Sequence, residues 1–275
     1  MNDIRFPNLG IVLKNVPDGI TIFGFEIKFY GIIIALGFLF AYIIVAKEAK
    51  RTGQKDEDYL DLILWLIIPA IVGARLYYVL FRWDDYFGGG RSFKDTLIGV
   101  INLRNGGLAI YGGILFGILS IFLFCRRKKI SVLSMLDLSA SGLLIGQILG
   151  RWGNFFNREA FGRETNIFCR MGLAAADGTT IYVHPTFLYE SLWNLIGLMI
   201  LQFGVKRRYD GQYILFYFLW YGLGRAWIEG LRTDSLYLWN TGIRISQLLS
   251  ILLSLVAGII LFIRRKQDGG LSGDL

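Results

Sequence analysis

Long apolar runs separated by short polar stretches dominate the chain. Seven of them have the length and apolar density of membrane-crossing helices: residues 29–46 (FYGIIIALGFLFAYIIVA), 59–81, 107–125 (GLAIYGGILFGILSIFLFC), 134–150, 186–204, 211–229 and 246–263 (SQLLSILLSLVAGIILFI). A bilayer core about 30 Å thick needs ~20 such residues per helix. The pattern therefore predicts an all-α integral membrane protein, a bundle of seven transmembrane helices forming one polytopic domain over 1–275. The fourth segment is interrupted by Asp137, three serines and three glycines. Its Gly142, Gly146 and Gly150 recur at i+4, a face of small residues that lets another helix approach closely, so this helix is expected inside the bundle. The segment 155–185 is long enough for a small extracytoplasmic cap, in which RMGLAAADGTTIYV (170–183) reads as a hairpin.

Composition agrees: 54% of residues are hydrophobic and 18% charged, with a mean hydropathy of +0.50. The first 20 residues hold acids, Pro7 and Pro17 but no compact apolar stretch, so the first span is expected to insert the protein without a cleaved signal. Four compact basic clusters fall on one side of a seven-span topology: Lys47/Lys50/Arg51/Lys55, Arg126–Lys129, Lys206–Arg208 and Arg264–Lys266. Such clusters mark the cytoplasm, which puts the N-terminus outside and the C-terminus inside. They hold 14 of the 29 Lys and Arg residues. The remainder, mostly arginines, gather at outer helix ends. A planar, permanently charged guanidinium fork matches phosphate, so an anionic ligand reached from the outer leaflet is implied. Snorkelling to headgroups accounts for Arg82, Arg91 and Arg104. Two cysteines, Cys125 and Cys169, are too few for a disulfide framework and fall on opposite sides. With one histidine in the chain, neither a metal site nor any cofactor is expected.

Four polar constellations stand out. In GRWGNFFNREAFG (150–162), Arg151 is placed where span four leaves the membrane, with Asn154, Asn157 and Glu159 on a glycine-broken turn beyond it. Guanidinium and amide donors there make a phosphate or hydroxyl cradle; the alternative is a cap on frayed helix-end carbonyls. In YGLGRAWIEGLR (221–232), Arg225, Glu229 and Arg232 share a helical face, and intramembrane charges are paired and usually functional. Arg75, in span two, serves either as a ligand group or as a clamp on an acid or helix-end carbonyls. Tyr30 starts span one, where an interfacial tyrosine is common. HPTFLYES (184–191) holds the only histidine, read as structural, and Glu190, which needs a partner and fits as an arginine's counter-charge.

These blocks resemble the bacterial prolipoprotein diacylglyceryl transferases. GRWGNFFNREAFG is similar to their signature G-R-x-G-N-F-x-N-x-E-x-x-G at every fixed position, and FYGIII, GARLYYV, NGGLAIYGG, HPTFLYES, GRAWIEGLR and ISQLLS follow in the family's order across about 28–250. The resemblance implies a multi-pass enzyme of the bacterial cytoplasmic membrane with its active site toward the outer leaflet. Its partners are phosphatidylglycerol and the signal peptide of a prolipoprotein, whose lipobox cysteine receives the diacylglyceryl group as a thioether while glycerol 1-phosphate leaves; no nucleic acid is involved. It also implies that Arg151 and Arg225 are the essential arginines, that Asn154 and Gly162 are signature positions, and that Tyr30, Glu159 and Glu229 matter for activity. The expectation is that Arg151 and Arg225 clamp the phosphate, Glu159 and Glu229 hold them, and Tyr30 and Asn154 position the headgroup, with Arg75 and Tyr111 also on the substrate side. Tyr111 is a departure: some members carry histidine there, and a phenol with pKa near 10 is a poor base at neutral pH. Neither Cys125 nor Cys169 matches a family motif, so the nucleophile is expected from the substrate. The residues alone leave open a transporter for an anionic solute or lipid, or a non-catalytic lipid-binding scaffold.

Overall fold

A computed structural model describes residues 3–270 except 89, 91, 104, 105, 175–177, 239 and 240, so Arg91 and Arg104 lie outside the described residues. Every one of the seven apolar segments is a helix: α1 (Phe29–Arg51), α2 (Asp56–Phe81), α5 (Ile110–Lys128), α6 (Val132–Asn157), α7 (Thr186–Met199, continued by a π-helical turn Ile200–Gly204), α8 (Gln212–Glu229) and α9 (Ile245–Gly270). Two short helices, α3 (Trp83–Phe87) and α4 (Phe93–Ile101), fall between α2 and α5. Among the described residues five helices, α1, α2, α5, α6 and α9, are long and apolar enough to cross a membrane. α7 is not among them because its α-helical part is 14 residues long, and α8 is not because Arg225, Glu229 and Gln212 lower its apolar character over 18 residues. The chain is mostly helical, with the exposed apolar surface of membrane helices; Leu36, Phe38, Leu39 and Phe40 of α1 all face outward.

The chain divides into two compact units, Met1–Glu48 with Leu136–Leu275, and Ala49–Met135. In the first, α1 packs on the glycine face of α6. A methyl group at Gly142 would meet Val45 at 3.1 Å and Ala41 at 3.5 Å, one at Gly150 would meet Ile34 at 3.7 Å, and one at Gly37 would meet the Gly146 Cα at 3.8 Å. α6 is accordingly the most buried of the five spans, 39% of its apolar window against 11–22% for the others. α7 and α8 interlock through Trp193 and Trp220, whose rings stack 4.6 Å apart. Each indole N–H donates to the other residue's carbonyl, at 2.9 and 2.8 Å. Ser254 of α9 donates to Leu219 O of α8 at 2.8 Å. Asp137, fully buried on α6, accepts from the backbone N–H groups of Gly211, Tyr213 and Ile214 at 2.8–3.0 Å and from Arg207 Nε at 2.8 Å. It thus satisfies the N-terminal donors of α8 with the charge sign the helix dipole favours.

Strands add to the helical plan. β1 (Ile4–Phe6), β2 (Ile11–Leu13), β5 (Met171–Ala174) and β6 (Thr180–Val183) form an antiparallel sheet in the order β2-β1-β5-β6. The expected hairpin in 170–183 is β5–β6, with Met171 opposite Val183; its partner strands from the N-terminus were not anticipated. Ile4 and Phe6 pack with Phe155 at the end of α6 and Phe187 in the first turn of α7, so the sheet sits over the end of α6 that carries the signature segment. β3 (Gly19–Ile22) and β4 (Phe25–Lys28) form a separate hairpin leading into α1. Its two-residue turn, Phe23–Gly24, has φ of +50° and +82°, the left-handed turn that matches strand twist.

In the second unit α2 and α5 pack through Gly73, Gly112 and Gly113; a methyl at Gly113 would stand 3.4 Å from Ala70 O. Lys128 at the end of α5 bonds Asp58 and Asp61 of α2 at 2.9 and 2.7 Å. Cys125 and Cys169 are both free thiols.

Candidate active site

α6, α7 and α8 each send one charged side chain to a common point in the first unit. Glu190 on α7 is 2% exposed, and its two oxygens serve two arginines from two other helices. Arg151 Nη2 of α6 donates to Oε1 at 2.7 Å, and Arg225 Nη1 of α8 donates to Oε2 at 3.1 Å. Arg225 Nη2 also lies 2.6 Å from Glu229 Oε2, one helical turn further along α8. Glu229 is equally buried, and Arg232 Nε stands 4.0 Å from the same oxygen. Arg232 is held by Asp234 through a two-pronged contact of 2.9 and 2.6 Å. Burial raises the Asp234 carboxyl and the Arg232 fork outweighs it, leaving the group below the usual carboxylate range. The cluster therefore holds three cations against three anions, with the guanidinium side chains 11–19% exposed.

A second tier supports Arg151. Its Nη1 donates to Asn154 Oδ1 at 3.0 Å. Asn154 Nδ2 in turn donates to Glu159 Oε1 at 2.9 Å, which also receives Asn157 Nδ2 at 3.2 Å. Glu159 thus acts on Arg151 through Asn154, whereas the direct carboxylate partner of both arginines is Glu190. That corrects the expectation that Glu159 and Glu229 hold the two arginines. Glu229 does so for Arg225; for Arg151 the reach from beyond the helix end is filled by an amide. The glycine-broken turn is corrected as well. α6 continues through Asn157, and the reversal comes at Arg158 and Ala160, with φ of +53° and +56°. Gly153 serves a close approach instead: a methyl there would stand 2.6 Å from the Tyr30 ring, so Tyr30 at the start of α1 packs directly on the backbone of the signature helix. Gly162 is similar, since a methyl would meet His184 Cβ at 2.7 Å and Leu231 O at 2.9 Å. Backbone bonds from Arg163 N to Leu231 O and from Gly162 N to His184 O, 2.8 and 3.0 Å, tie the segment after α6 to the segments after α8 and before α7.

His184 faces Tyr189: its Nδ1 is 3.2 Å from the phenol, which also lies 3.6 Å from Cys169 Sγ. Burial and the Arg163 charge push the imidazole below its ordinary pKa. Gln147 and Asn194 sit one turn before Arg151 and one turn after Glu190 on their helices, and Gln147 Nε2 donates to Tyr217 OH at 2.6 Å.

Arg75 and Tyr111 belong to the other unit. Arg75 directs all five of its N–H groups to backbone carbonyls, those of Gly99, Val100, Asn102, Gly106 and Gly107, at 2.6–3.1 Å. A guanidinium has five donors, so none remains for a substrate. Of its two open roles the carbonyl clamp is the one observed, and its assignment to substrate binding is corrected. Tyr111 opens α5 with its ring 6.4 Å from that of Tyr77.

The profile of the prolipoprotein diacylglyceryl transferases matches residues 17–264. The chain belongs to this family. The match spans Arg151, Glu190, Arg225 and Glu229 alike. A phosphatidylglycerol–prolipoprotein diacylglyceryl transferase of Finegoldia magna is 42% identical over 250 residues, 90% of this chain and 95% of the relative. One from Enterococcus faecalis is 42% identical over 89% of each chain, and another from Clostridium perfringens is 44% identical over 90% of this chain and 93% of its own. Of the two carboxylates that meet the arginines directly, Glu190 is expected from the sequence only as an arginine's counter-charge, yet it is the one that bonds both. Its signal was legible: a lone carboxylate one turn into an apolar helix must be paired.

Proposed function

We propose that this chain, an enzyme of the prolipoprotein diacylglyceryl transferase family, moves the diacylglyceryl group of phosphatidylglycerol to the thiol of the lipobox cysteine in a prolipoprotein signal peptide. The thiol sulfur attacks the glyceryl carbon that bears the phosphate, a C–S bond forms as the C–O bond breaks, the bonding pair leaves with glycerol 1-phosphate, and the thiol proton passes to that phosphate or to water. Negative charge grows on the leaving phosphate. Donors fixed beforehand at that position stabilise the transition state more than the ground state. Arg151 and Arg225 are suited to this: each has two N–H groups engaged with protein partners and keeps others of its five for a phosphate. Glu190 and Glu229 hold the guanidinium planes and Asn154 relays the hold from Glu159; in this reading Tyr30 and Asn154 meet the glycerol headgroup.

The observation that carries this reading is the carboxylate shared between two arginines from different helices, Arg151 at 2.7 Å and Arg225 at 3.1 Å. The shared carboxylate holds the two guanidinium groups side by side, an arrangement suited to a phosphate whose charge grows from one toward two as the C–O bond breaks. In the topology we favour, seven helices cross the bilayer and the four basic clusters face the cytoplasm. The arginine centre then lies toward the outer leaflet beneath a cap built from 155–185 and the N-terminal strands. The test is release of glycerol phosphate from phosphatidylglycerol in the presence of a lipobox peptide. The unaltered protein should turn over, and Arg151→Ala and Arg225→Ala should each lose about 100- to 1,000-fold. Near-normal transfer by both Arg151→Lys and Arg225→Lys would show that two-pronged phosphate recognition is wrong.

A further inference from the structure

The turn between α7 and α8 takes no part in the arginine centre, yet it holds uncompensated charge in a concave place. Lys206, Arg208, Tyr209 and Gln212, with Leu261 and Arg265 of α9, enclose a cleft of about 400 Å³. Arg207, which lies between two of these cations in sequence, is neutralised by Asp137 and Asp210 at 2.8 and 2.7 Å. Lys206, Arg208 and Arg265 have no acidic partner among the described residues. The cleft is nonetheless well built: Arg208 N donates to Gln212 Oε1 at 2.7 Å, and Tyr213 OH donates to Val205 O at 3.0 Å. The Arg264 guanidinium lies 5.7 Å from the centre of the Tyr209 ring and adds a fourth positive charge at its edge. Like charges gathered in a pocket create a strong positive potential that draws an anion.

A second groove, also about 400 Å³, runs along the seam of α8 and α9 and is lined by Leu219, Leu223, Ile251, Leu255 and Phe262. It opens at Gly258, where a methyl would meet Leu219 at 3.5 Å. On α9 the residues Ile251, Leu255, Gly258, Phe262 and Arg265 are spaced by four, three, four and three, a single stripe of the helix. On α8 Gln212, Leu219, Leu223 and Ala226 make a matching stripe. Cationic cleft and apolar groove therefore lie in line, about 10 Å apart from Gln212 to Leu219, and the groove continues about 10 Å further to Ala226. A free phosphate would use the cleft and leave the groove unexplained. A phospholipid uses both.

We propose that the α8–α9 seam is a binding site for an anionic phospholipid, its phosphate in the Lys206–Arg208–Arg265 cleft and one acyl chain along the groove. Gln212 and Arg225 are thirteen residues apart on α8, about 20 Å along the axis, so this site is separate from the arginine centre and does not depend on the transferase reading. The probe is phosphatidic acid carrying a photoreactive group on an acyl chain, present at low fraction in phosphatidylcholine nanodiscs with the full chain, and the labelled peptides are mapped. Labels should fall on residues 219–226 and 251–262. The triple variant Lys206→Gln/Arg208→Gln/Arg265→Gln should reduce them about tenfold or more, with its thermal unfolding unchanged. Arg225→Ala should leave seam labelling intact, and excess glycerol phosphate should not compete. Equal labelling by photoreactive phosphatidylcholine, or full labelling of the triple variant, would reduce the seam to ordinary lipid contact and overturn the proposal. Competition by glycerol phosphate would overturn it in favour of a site for a free phosphate.

Discussion

Replacing Glu190 by glutamine removes one charge and one acceptor while keeping shape. In the native arrangement each carboxylate oxygen receives a guanidinium N–H, from Arg151 at 2.7 Å and from Arg225 at 3.1 Å. Glutamine offers one oxygen and one NH2, so one arginine would face a donor instead of an acceptor, and the two guanidinium groups would lose the negative charge between them. A hydrogen bond to a charged group is worth about 1.5–3 kcal/mol. Breaking a buried ion pair from one side costs about 3–5 kcal/mol, because the remaining charge is left uncompensated. Arg225 keeps Glu229 at 2.6 Å and Arg151 keeps Asn154 at 3.0 Å, so the fold should survive and the loss should appear as misplaced guanidiniums. At about 1.4 kcal/mol per tenfold, transfer should fall by about two to three orders of magnitude in kcat/KM, measured as glycerol phosphate release with a lipobox peptide. Thermal unfolding of the same sample separates misplacement from collapse. A Glu190→Gln protein that is folded and within threefold of the native rate would refute the claim that this carboxylate sets the positions of the two arginines.

Three other outcomes follow from the same geometry. Gly153→Ala should push Tyr30 off the signature helix, at a cost of about 1–3 kcal/mol for overpacking, and should lower transfer; unchanged activity would show that the Tyr30 position is unimportant. Asp137→Asn, which strips the charge that meets Arg207 and three backbone N–H groups, should cost about 3–5 kcal/mol of stability, read as a fall in Tm, while kcat/KM in the fraction that remains folded stays near native. His184, held below its ordinary pKa of 6.5 by burial and Arg163, is favoured neutral in the folded state. The unfolded chain takes up the proton first, so stability should be level above pH 6.5 and decline as pH falls below it. His184→Gln should flatten that slope in unfolding scans, and a slope that persists would assign it to other groups.

The apolar pattern by itself determined the positions of all seven helices, because the need to bury backbone polar groups in lipid fixes both their length and their composition. It also marked α6 as offering a face for close approach, since a run of glycines at i+4 has few uses other than that; that α1 is the helix that fills it came from the tertiary structure. The two arginines and Glu229 were legible as intramembrane charges that must be paired. Which charge pairs with which was not, because Arg151, Glu190 and Arg225 are separated by 39 and 35 positions and meet only through the packing of α6, α7 and α8. Tertiary structure alone decided that Glu190 holds both arginines, that Glu159 acts through Asn154, and that Arg75 is saturated by five carbonyls of its own unit. The N-terminal strands escaped the sequence reading for a related reason: β1 is three residues long and takes its register from β5, more than 160 positions away, so no local periodicity could announce it.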